Sequence, residues 1–334
     1  MVVPYADARY YALRPALALA REQVLPLDEH IGLNPAMKPL MPLFAARELA
    51  VVQGVGYPQP NRSHFRSIEI WDTASGAAAV VNDGWLTHLR SPASLGRFAA
   101  DAIVIGRNPA PVTGGAWQPV VMADPGGFVR EAQGLTSEHP APATPALAHL
   151  LEIQRSTVDA AQAMAAHRPR APGQFPKNAF GRDLSQAARL LVGEPASPVV
   201  KVALSGFDTH VSQRATQDRL LGQLAHGLAA LRDSLKTAGV WERTLVMTYS
   251  EFGRRAKQNA SQGTDHGAAA PHLLLGGALR GGIHGPAPDL SRLDDGDVAM
   301  STDYRRLYNT VLGRWWGKPD AMFDPQAFPP LDLV

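Results

Sequence analysis

The sequence contains no cysteine, and this absence removes several kinds of chemistry at once. Without thiols, the chain cannot form disulfides, thiolate zinc sites, iron–sulfur clusters or a cysteine nucleophile. Any metal binding or covalent catalysis must therefore use His, Asp, Glu, Ser and Thr. The missing cysteines do not name a compartment, because a periplasmic protein can also do without disulfides.

The chain also lacks a charge excess and a long apolar run. Its 32 Lys and Arg against 30 Asp and Glu give a formal net charge of +2, so no global field attracts nucleic acid, and no nucleic-acid partner is expected. The apolar stretch 45–55 is broken by polar residues and falls far short of the roughly 20 residues that a membrane span needs. Residues 1–7 show none of the features of an export signal.

What remains is the composition of a folded, loop-rich protein. Hydrophobic residues make up 45% of the 334 positions, with 28 Pro and 30 Gly, which excludes an extended coiled coil and a mostly disordered chain. We expect a single domain over residues 1–334. Within it, the Pro- and Gly-rich part from 101 to 180 is expected to be an insertion or a cap-like excursion.

Apolar runs alternate with amphipathic segments along the chain. The runs predict buried strands at 50–55, 102–106, 199–204 and 244–249, and helical spacing follows, most clearly at 213–238. This alternation predicts an α/β fold with a mostly parallel central sheet flanked by helices on both faces. Ligands in such folds bind at the carboxyl ends of the strands.

Two polar motifs directly follow predicted strands. Asp208 and His210 lie two residues apart, so in an extended segment both side chains can face one divalent cation. The alternative is that Asp208 caps the next helix and His210 bonds the backbone. In the second motif, Glu251 is a candidate metal ligand or general base, and Arg254 and Arg255 are candidate donors to an oxyanion such as phosphate or sulfate. Here the alternative is an ion pair at the edge of the sheet.

A third motif and a helix start complete the candidates. Asp265 and His266 lie between two glycines, which let the backbone bend so that one side chain ligates a metal and the other orients a ligand. A polar turn with a glycine hinge is the alternative. Ser63 opens a predicted helix, where free N–H groups favour an anion, and Arg62 could hold substrate oxygens. A capping serine is the commoner use of such a residue.

Together these motifs indicate metal-assisted hydrolysis of a phosphate or sulfate ester, a small anionic substrate. They also resemble the bacterial domain of unknown function 1501 family, which is similar to the alkaline phosphatase and sulfatase superfamily. The resemblance covers nearly the whole chain and is carried by residues 2–7, 10–15, 56–58, 61–67, 207–210, 250–255 and 263–267.

This resemblance implies a metal site and gives its residues roles. Asp208 and His210 would build one metal site, Glu251 would be the acid of a second, and Asp265 with His266 would form the late histidine motif. The superfamily more often has Asp-His where Glu251 stands. The implied cofactor is a divalent metal ion such as zinc, manganese or calcium.

The same resemblance implies that Ser63 is the nucleophile, unless a water takes that part. Arg62 and Arg254 would then stabilise the developing charge. Family members typically carry an apolar strand and a glycine-rich loop with an acidic residue before the equivalent of Val2, so this chain is expected to be shortened at its amino terminus. Many also carry a twin-arginine export signal, which implies a periplasmic or secreted protein. A genuine start at Met1 would instead imply a cytoplasmic one.

Two other functions fit the same motifs. One is a non-catalytic exported binding or assembly protein that keeps the fold with a degenerate site. The other is a cofactor-independent sugar-phosphate mutase on the same scaffold. Convergence of Asp208, His210 and His266 within metal-ligand distance would favour an enzyme over a binding protein.

Overall fold

The computed structural model of the chain describes residues 1–89, 100–132, 134–135, 144–166, 173–192, 197–318 and 322–334. Helices cover much of this part, and none of those described has the length and apolar character needed to cross a membrane. The α-helices are α1 (Ala8–Leu13), α2 (Met41–Ala45), α3 (His64–Thr73), α4 (Pro125–Ala132), α5 (Pro145–Ala166), α6 (Ala179–Val192), α7 (Gln213–Thr237) and α8 (Tyr304–Asn309).

The strands are mostly short and fall between these helices. They are β1 (Val2–Val3), β2 (Leu25–Pro26), β3 (Gly32–Leu33), β4 (Leu49–Gly56), β5 (Ala102–Ile105), β6 (Pro119–Met122), β7 (Val200–Val202), β8 (Leu245–Met247), β9 (Gly253–Arg254), β10 (His266–Gly267), β11 (Ala270–Gly276), β12 (Gly282–His284) and β13 (Thr302–Asp303).

The largest sheet has the order β12-β4-β11-β8, with β13 also pairing with β4. Strands β12 and β13 run parallel to β4, whereas β11 runs antiparallel to both β4 and β8. The α/β prediction is confirmed, but this sheet is mixed rather than mostly parallel. The reason is the connection from β8 to β11, which contains only the β9–β10 pair and no helix. A parallel return would require a crossover, usually a helix.

A second sheet has the order β6-β5-β7 and is parallel throughout. Strands β5 and β6 belong to the segment 101–180 that the sequence marks as an insertion. Residues 133, 136–143 and 167–172 of that segment lie outside the described residues. The insertion itself therefore stays a prediction.

Strand β4 organises the core because both of its faces are covered. Ala50 and Val52 pack in a cluster with residues of α3 and α8, including Trp71. Leu49 and Val51, on the opposite face, pack in a cluster with residues of α6 and α7. This arrangement places the amino end of α3 at the carboxyl end of β4.

Candidate metal centre

Asp208 lies at the centre of a histidine cluster beyond the carboxyl ends of β7 and β8. Its Oδ1 lies 2.8 Å from Nε2 of both His210 and His266, and accepts a hydrogen bond from Nη2 of Arg254 at 2.9 Å. Its Oδ2 lies 3.2 Å from Nε2 of His64. The structure therefore brings together side chains from four separate segments of the chain.

Turn chemistry after β4 places His64 in this cluster. Asn61 Oδ1 accepts the backbone N–H of Ser63 at 2.8 Å, and Ser63 takes the extended conformation of an N-cap, so α3 begins at His64. The other ring nitrogen of His64, Nδ1, lies 2.8 Å from Oε1 of Glu251. His64 thus bridges the loop after β7 and the loop after β8 through Asp208 and Glu251.

The short β9–β10 pair places Arg254 and His266 opposite each other in register. Arg254 also donates to the carbonyls of Phe207 and Thr264, both at 2.8 Å, which ties the Asp208 loop to the His266 loop. Gly263 allows these loops to approach, because a Cβ at that position would collide with the backbone of His210. The glycine before Thr264 therefore has a steric role in the motif.

Two overlapping triads can present ligand atoms to one cation. The ligand atoms of His64, Asp208 and His266 all lie within 4.8 Å of one another. The second triad exchanges His64 for His210, whose Nε2 lies 3.0 Å from Nε2 of His266. Asp208 and His266 are common to both.

The donor set fits a divalent cation. Two imidazole nitrogens and one carboxylate oxygen lie 2.8 to 3.0 Å apart in the triad of Asp208, His210 and His266. Ligands at the usual zinc distances of about 2.0–2.1 Å form tetrahedral edges of about 3.4 Å, which is about half an ångström longer than these separations. The Nε2 atoms of His210 and His266 point at each other, so they cannot both carry a proton and donate across this contact. A bound cation could instead accept a lone pair from each of these nitrogens and from the Asp208 carboxylate.

Each histidine has a partner that orients its ring. The Nδ1 of His266 lies 2.9 Å from the backbone carbonyl of Arg62, and the Nδ1 of His210 lies 3.4 Å from Oδ1 of Asp265. Asn259 donates to the same Asp265 oxygen at 3.2 Å. Such contacts fix the ring so that the opposite nitrogen, Nε2, faces the cluster.

The electrostatics of the cluster follow from these contacts. Partial burial by itself would raise the pKa of Asp208, but hydrogen bonds from His266 and Arg254, with the nearby charge of His210, hold it well below its ordinary value. Partial burial would lower the pKa of His64, but its contacts with Glu251 and Asp208 outweigh this and raise it. The carboxylate that both triads share is therefore ionised throughout the ordinary pH range.

The candidate catalytic residues lie around this centre in different ways. Ser63 is exposed, and its side chain makes no capping hydrogen bond. No described contact joins its hydroxyl to the histidine cluster. Arg62 donates from Nη2 to Oδ2 of Asp297 at 2.5 Å and to Asp295 at 3.3 Å. Of the two candidate catalytic arginines, Arg254 is the one that directly contacts Asp208.

The sequence motifs named most of this cluster but missed one member. Asp208, His210 and His266 meet, whereas Glu251 and Asp265 each contact a histidine ring from outside the two triads. His64 was not among the expected ligands. The sequence feature that could have identified His64 is its position next to Ser63, in the first turn of a predicted helix that follows a buried strand.

Comparison with known proteins places the chain in a family. No protein in the curated set matches it. A family described as "protein of unknown function (DUF1501)" matches residues 55–325, which is most of the chain and includes every residue of the histidine cluster. The protein described here belongs to the DUF1501 family.

Proposed function

We propose that this protein is a metal-dependent hydrolase of phosphate or sulfate esters, similar to the alkaline phosphatase and sulfatase superfamily. The observation that carries the proposal is the convergence of Asp208, His266 and either His64 or His210 beside Arg254. Histidine and carboxylate ligands next to a guanidinium form a cation site beside an anion donor, which suits an anionic ester.

The donors favour zinc or manganese over calcium. Each triad offers two imidazole nitrogens and one carboxylate, whereas calcium prefers six to eight oxygen ligands. When bound, such a cation would polarise an ester oxygen and lower the pKa of a water or hydroxyl.

The chain's own residues would position the ester and the nucleophile. Ser63 has a hydroxyl that is not used in capping, at a helix start whose N–H groups favour an anion. Arg254 adds positive charge beside Asp208, while Arg62 is held by Asp297 and would contribute mainly by fixing His266 through its carbonyl. We therefore assign Ser63, or a water in its place, as the nucleophile and Arg254 as the main stabiliser of negative charge.

The test is turnover of an ester panel by metal-loaded and metal-free protein. The panel is p-nitrophenyl phosphate, bis-p-nitrophenyl phosphate and p-nitrophenyl sulfate, each with zinc or manganese. We expect metal-dependent turnover of at least one ester, reduced at least about 100-fold in D208N. The matched control D124N changes an exposed aspartate at the start of α4 and should keep full activity.

Further outcomes decide whether Ser63 or a water is the nucleophile, and they test the proposal as a whole. Loss of turnover in S63A would identify Ser63 as the nucleophile, and retained turnover would identify a water. Absence of bound metal together with absence of turnover would contradict the proposal.

A second candidate is a binding protein that holds a metal without catalysis. It is favoured by the exposed Ser63, whose hydroxyl has no described contact with the cluster, and by the engagement of Arg62 with Asp297. Stoichiometric metal binding without turnover of any ester would support this candidate over the hydrolase.

A further inference from the structure

Exposed apolar side chains border the candidate metal centre. Within the described residues, the three most exposed large apolar side chains are Phe65 (88%), Val80 (76%) and Val211 (64%). Phe65 directly follows His64, and Val211 directly follows His210. Since both histidines contact Asp208, two of the three side chains stand next to a residue of the histidine cluster.

Val80 belongs to a surface loop that is apolar throughout. Residues 78–81 (Ala-Ala-Val-Val, the apolar loop) are all exposed. A soluble protein rarely exposes four consecutive apolar residues unless they have a function, because their burial away from water would be favourable. The apolar loop is therefore a candidate contact surface for an apolar group.

The apolar loop lies beside the amino end of α3. After α3 the chain reverses at Ala74, which takes the left-handed conformation. Nη2 of Arg66 then donates to three backbone carbonyls of the returning segment, those of Gly76, Ala77 and Ala79. Because Arg66 lies in the first turn of α3, two residues after His64, these hydrogen bonds hold the apolar loop at the end of α3 that carries His64.

The apolar loop is held in place before any ligand binds. Ala77, directly before it, packs against the core cluster that contains Trp71, while the guanidinium of Arg66 fixes the segment through its carbonyls. An apolar surface that is fixed in advance binds a ligand at a lower entropic cost than a flexible one. This fixed geometry favours a binding role over that of a simple connection.

An aromatic ring adds to this apolar border from within the site. Phe252 stacks on the ring of His266 at a centroid distance of 4.0 Å and lies 4.9 Å from the ring of His64. Each histidine of the cluster therefore has an apolar side chain next to it in space or in sequence. A ligand with an anionic group at one end and hydrocarbon at the other matches this arrangement of a cation site with apolar neighbours.

We propose that Phe65, Val211 and the apolar loop form an apolar rim, which binds the hydrocarbon part of an amphiphilic ester while its phosphate or sulfate group lies at the metal centre. This inference rests on the proposed hydrolase and narrows its substrates to esters of long-chain alkyl or aryl alcohols. An ester of a sugar or of another polar alcohol would leave the rim in contact with water. Residues 76–81 contain no Lys or Arg, and the net charge is only +2, so a single ester molecule is favoured over an anionic membrane surface as the occupant.

The experiment measures the binding of alkylphosphonates to the zinc-loaded full chain by titration calorimetry. These ligands carry the anionic group but have no ester bond to cleave, so binding is read without turnover. Ethyl-, hexyl- and decylphosphonate are compared below their critical micelle concentrations. We expect the Kd to fall at least about tenfold from ethyl to hexyl, because four added methylenes, each about half buried against the rim, contribute roughly twofold each.

Two double variants locate the effect on the surface. F65S/V80S replaces two exposed side chains of the rim and should reduce the ethyl-to-hexyl ratio of Kd values to less than about threefold. The matched control L150S/I153S replaces two exposed apolar side chains of α5, which packs on α4, and should keep the full ratio. Thermal unfolding of both variants confirms that each is folded at the temperature of the titration.

The outcomes separate the rim from the hydrolase. A Kd that is constant from ethyl to decyl, no binding of any phosphonate, or an equal loss of the ratio in both double variants would overturn the rim. Sedimentation of the protein with phosphatidylcholine vesicles, without any dependence on chain length, would overturn it in favour of a lipid surface. Binding that strengthens with chain length, without turnover of any alkyl phosphate or sulfate, would support the rim and contradict the hydrolase.

Discussion

His272 provides a quantitative test of the packing beneath the metal centre. It lies in β11 with 3% of its surface exposed, its Nδ1 donates to the carbonyl of Thr248 at 3.1 Å, and its Nε2 has no hydrogen-bond partner. Its ring packs against Trp71 at a centroid distance of 5.0 Å. Burial lowers the pKa of His272 from 6.5 to about 4.

The sign of the resulting pH dependence follows from linkage. The unfolded chain binds a proton at His272 below about pH 6.5, but the folded chain does so only below about pH 4. Acid therefore favours the unfolded state within this window. From pH 7.5 to 4.5 the group should remove about 2–3 kcal/mol of stability, at 1.36 kcal/mol for each pKa unit.

The variant H272N removes this titration. We expect H272N to be less stable than the natural chain at pH 7.5, because it loses the packing on Trp71, and to regain about 2–3 kcal/mol relative to it at pH 4.5. Urea unfolding is measured at both pH values with a chelator present, so that metal release does not contribute. H226N, which replaces an exposed histidine of α7, is the control for the same substitution at a surface position. A stability difference between H272N and the natural chain that does not change with pH would refute the reasoning.

Three further predictions concern the site and its support. E251Q should weaken zinc binding about 10- to 100-fold in competition with a chromogenic chelator, because the charged partner of His64 is lost, and unchanged affinity would contradict this. D297N should cost about 1–2 kcal/mol in urea unfolding, because it weakens the buried partner of Arg62, whereas D295N, at a 78% exposed carboxylate, should cost less than about 0.5 kcal/mol. G227A should destabilise by about 1–3 kcal/mol, since its Cβ would lie 2.7 Å from Leu184 Cδ1. G222A on the same helix has its nearest atom at 3.8 Å and should be neutral or stabilising, so equal effects would contradict the packing argument.

The centre of the site could be predicted from local sequence. Asp208, His210 and His266 all follow strands or lie between glycines, and the carboxyl ends of neighbouring strands meet at one edge. Local patterns could not say which member of the Ser63–His64 pair would face the cluster. That choice depends on where α3 begins, and the Asn61 hydrogen bond to Ser63 sets this start one residue later, at His64.

Ion pairs between residues far apart in the chain could not be predicted from the sequence patterns. Arg62 was expected to hold substrate, but its guanidinium contacts Asp297, which lies more than 230 residues later. The role of Arg62 at the substrate therefore stays a prediction. No periodicity in either segment indicates such a contact, because an ion pair between distant loops leaves no local signature.

Strand direction could not be predicted from the strand sequences themselves. The buried strand β11 is an apolar run that reads the same whether its neighbours are parallel or antiparallel. The informative feature was the polar segment between β8 and β11, which has no helical pattern and therefore favours an antiparallel return. The alternation of apolar runs was enough to predict the α/β class. The mixed directions of the strands were seen only in the strand pairing of the structure.

The most direct test of the metal-centre proposal is a crystal structure of the zinc-loaded protein with anomalous diffraction measured at the zinc edge. We predict an anomalous peak about 2.0–2.2 Å from the Asp208 carboxylate and from Nε2 of His266, with His64 or His210 as the next ligand. A crystal with no zinc peak among these side chains, or with zinc bound only elsewhere, would contradict the account.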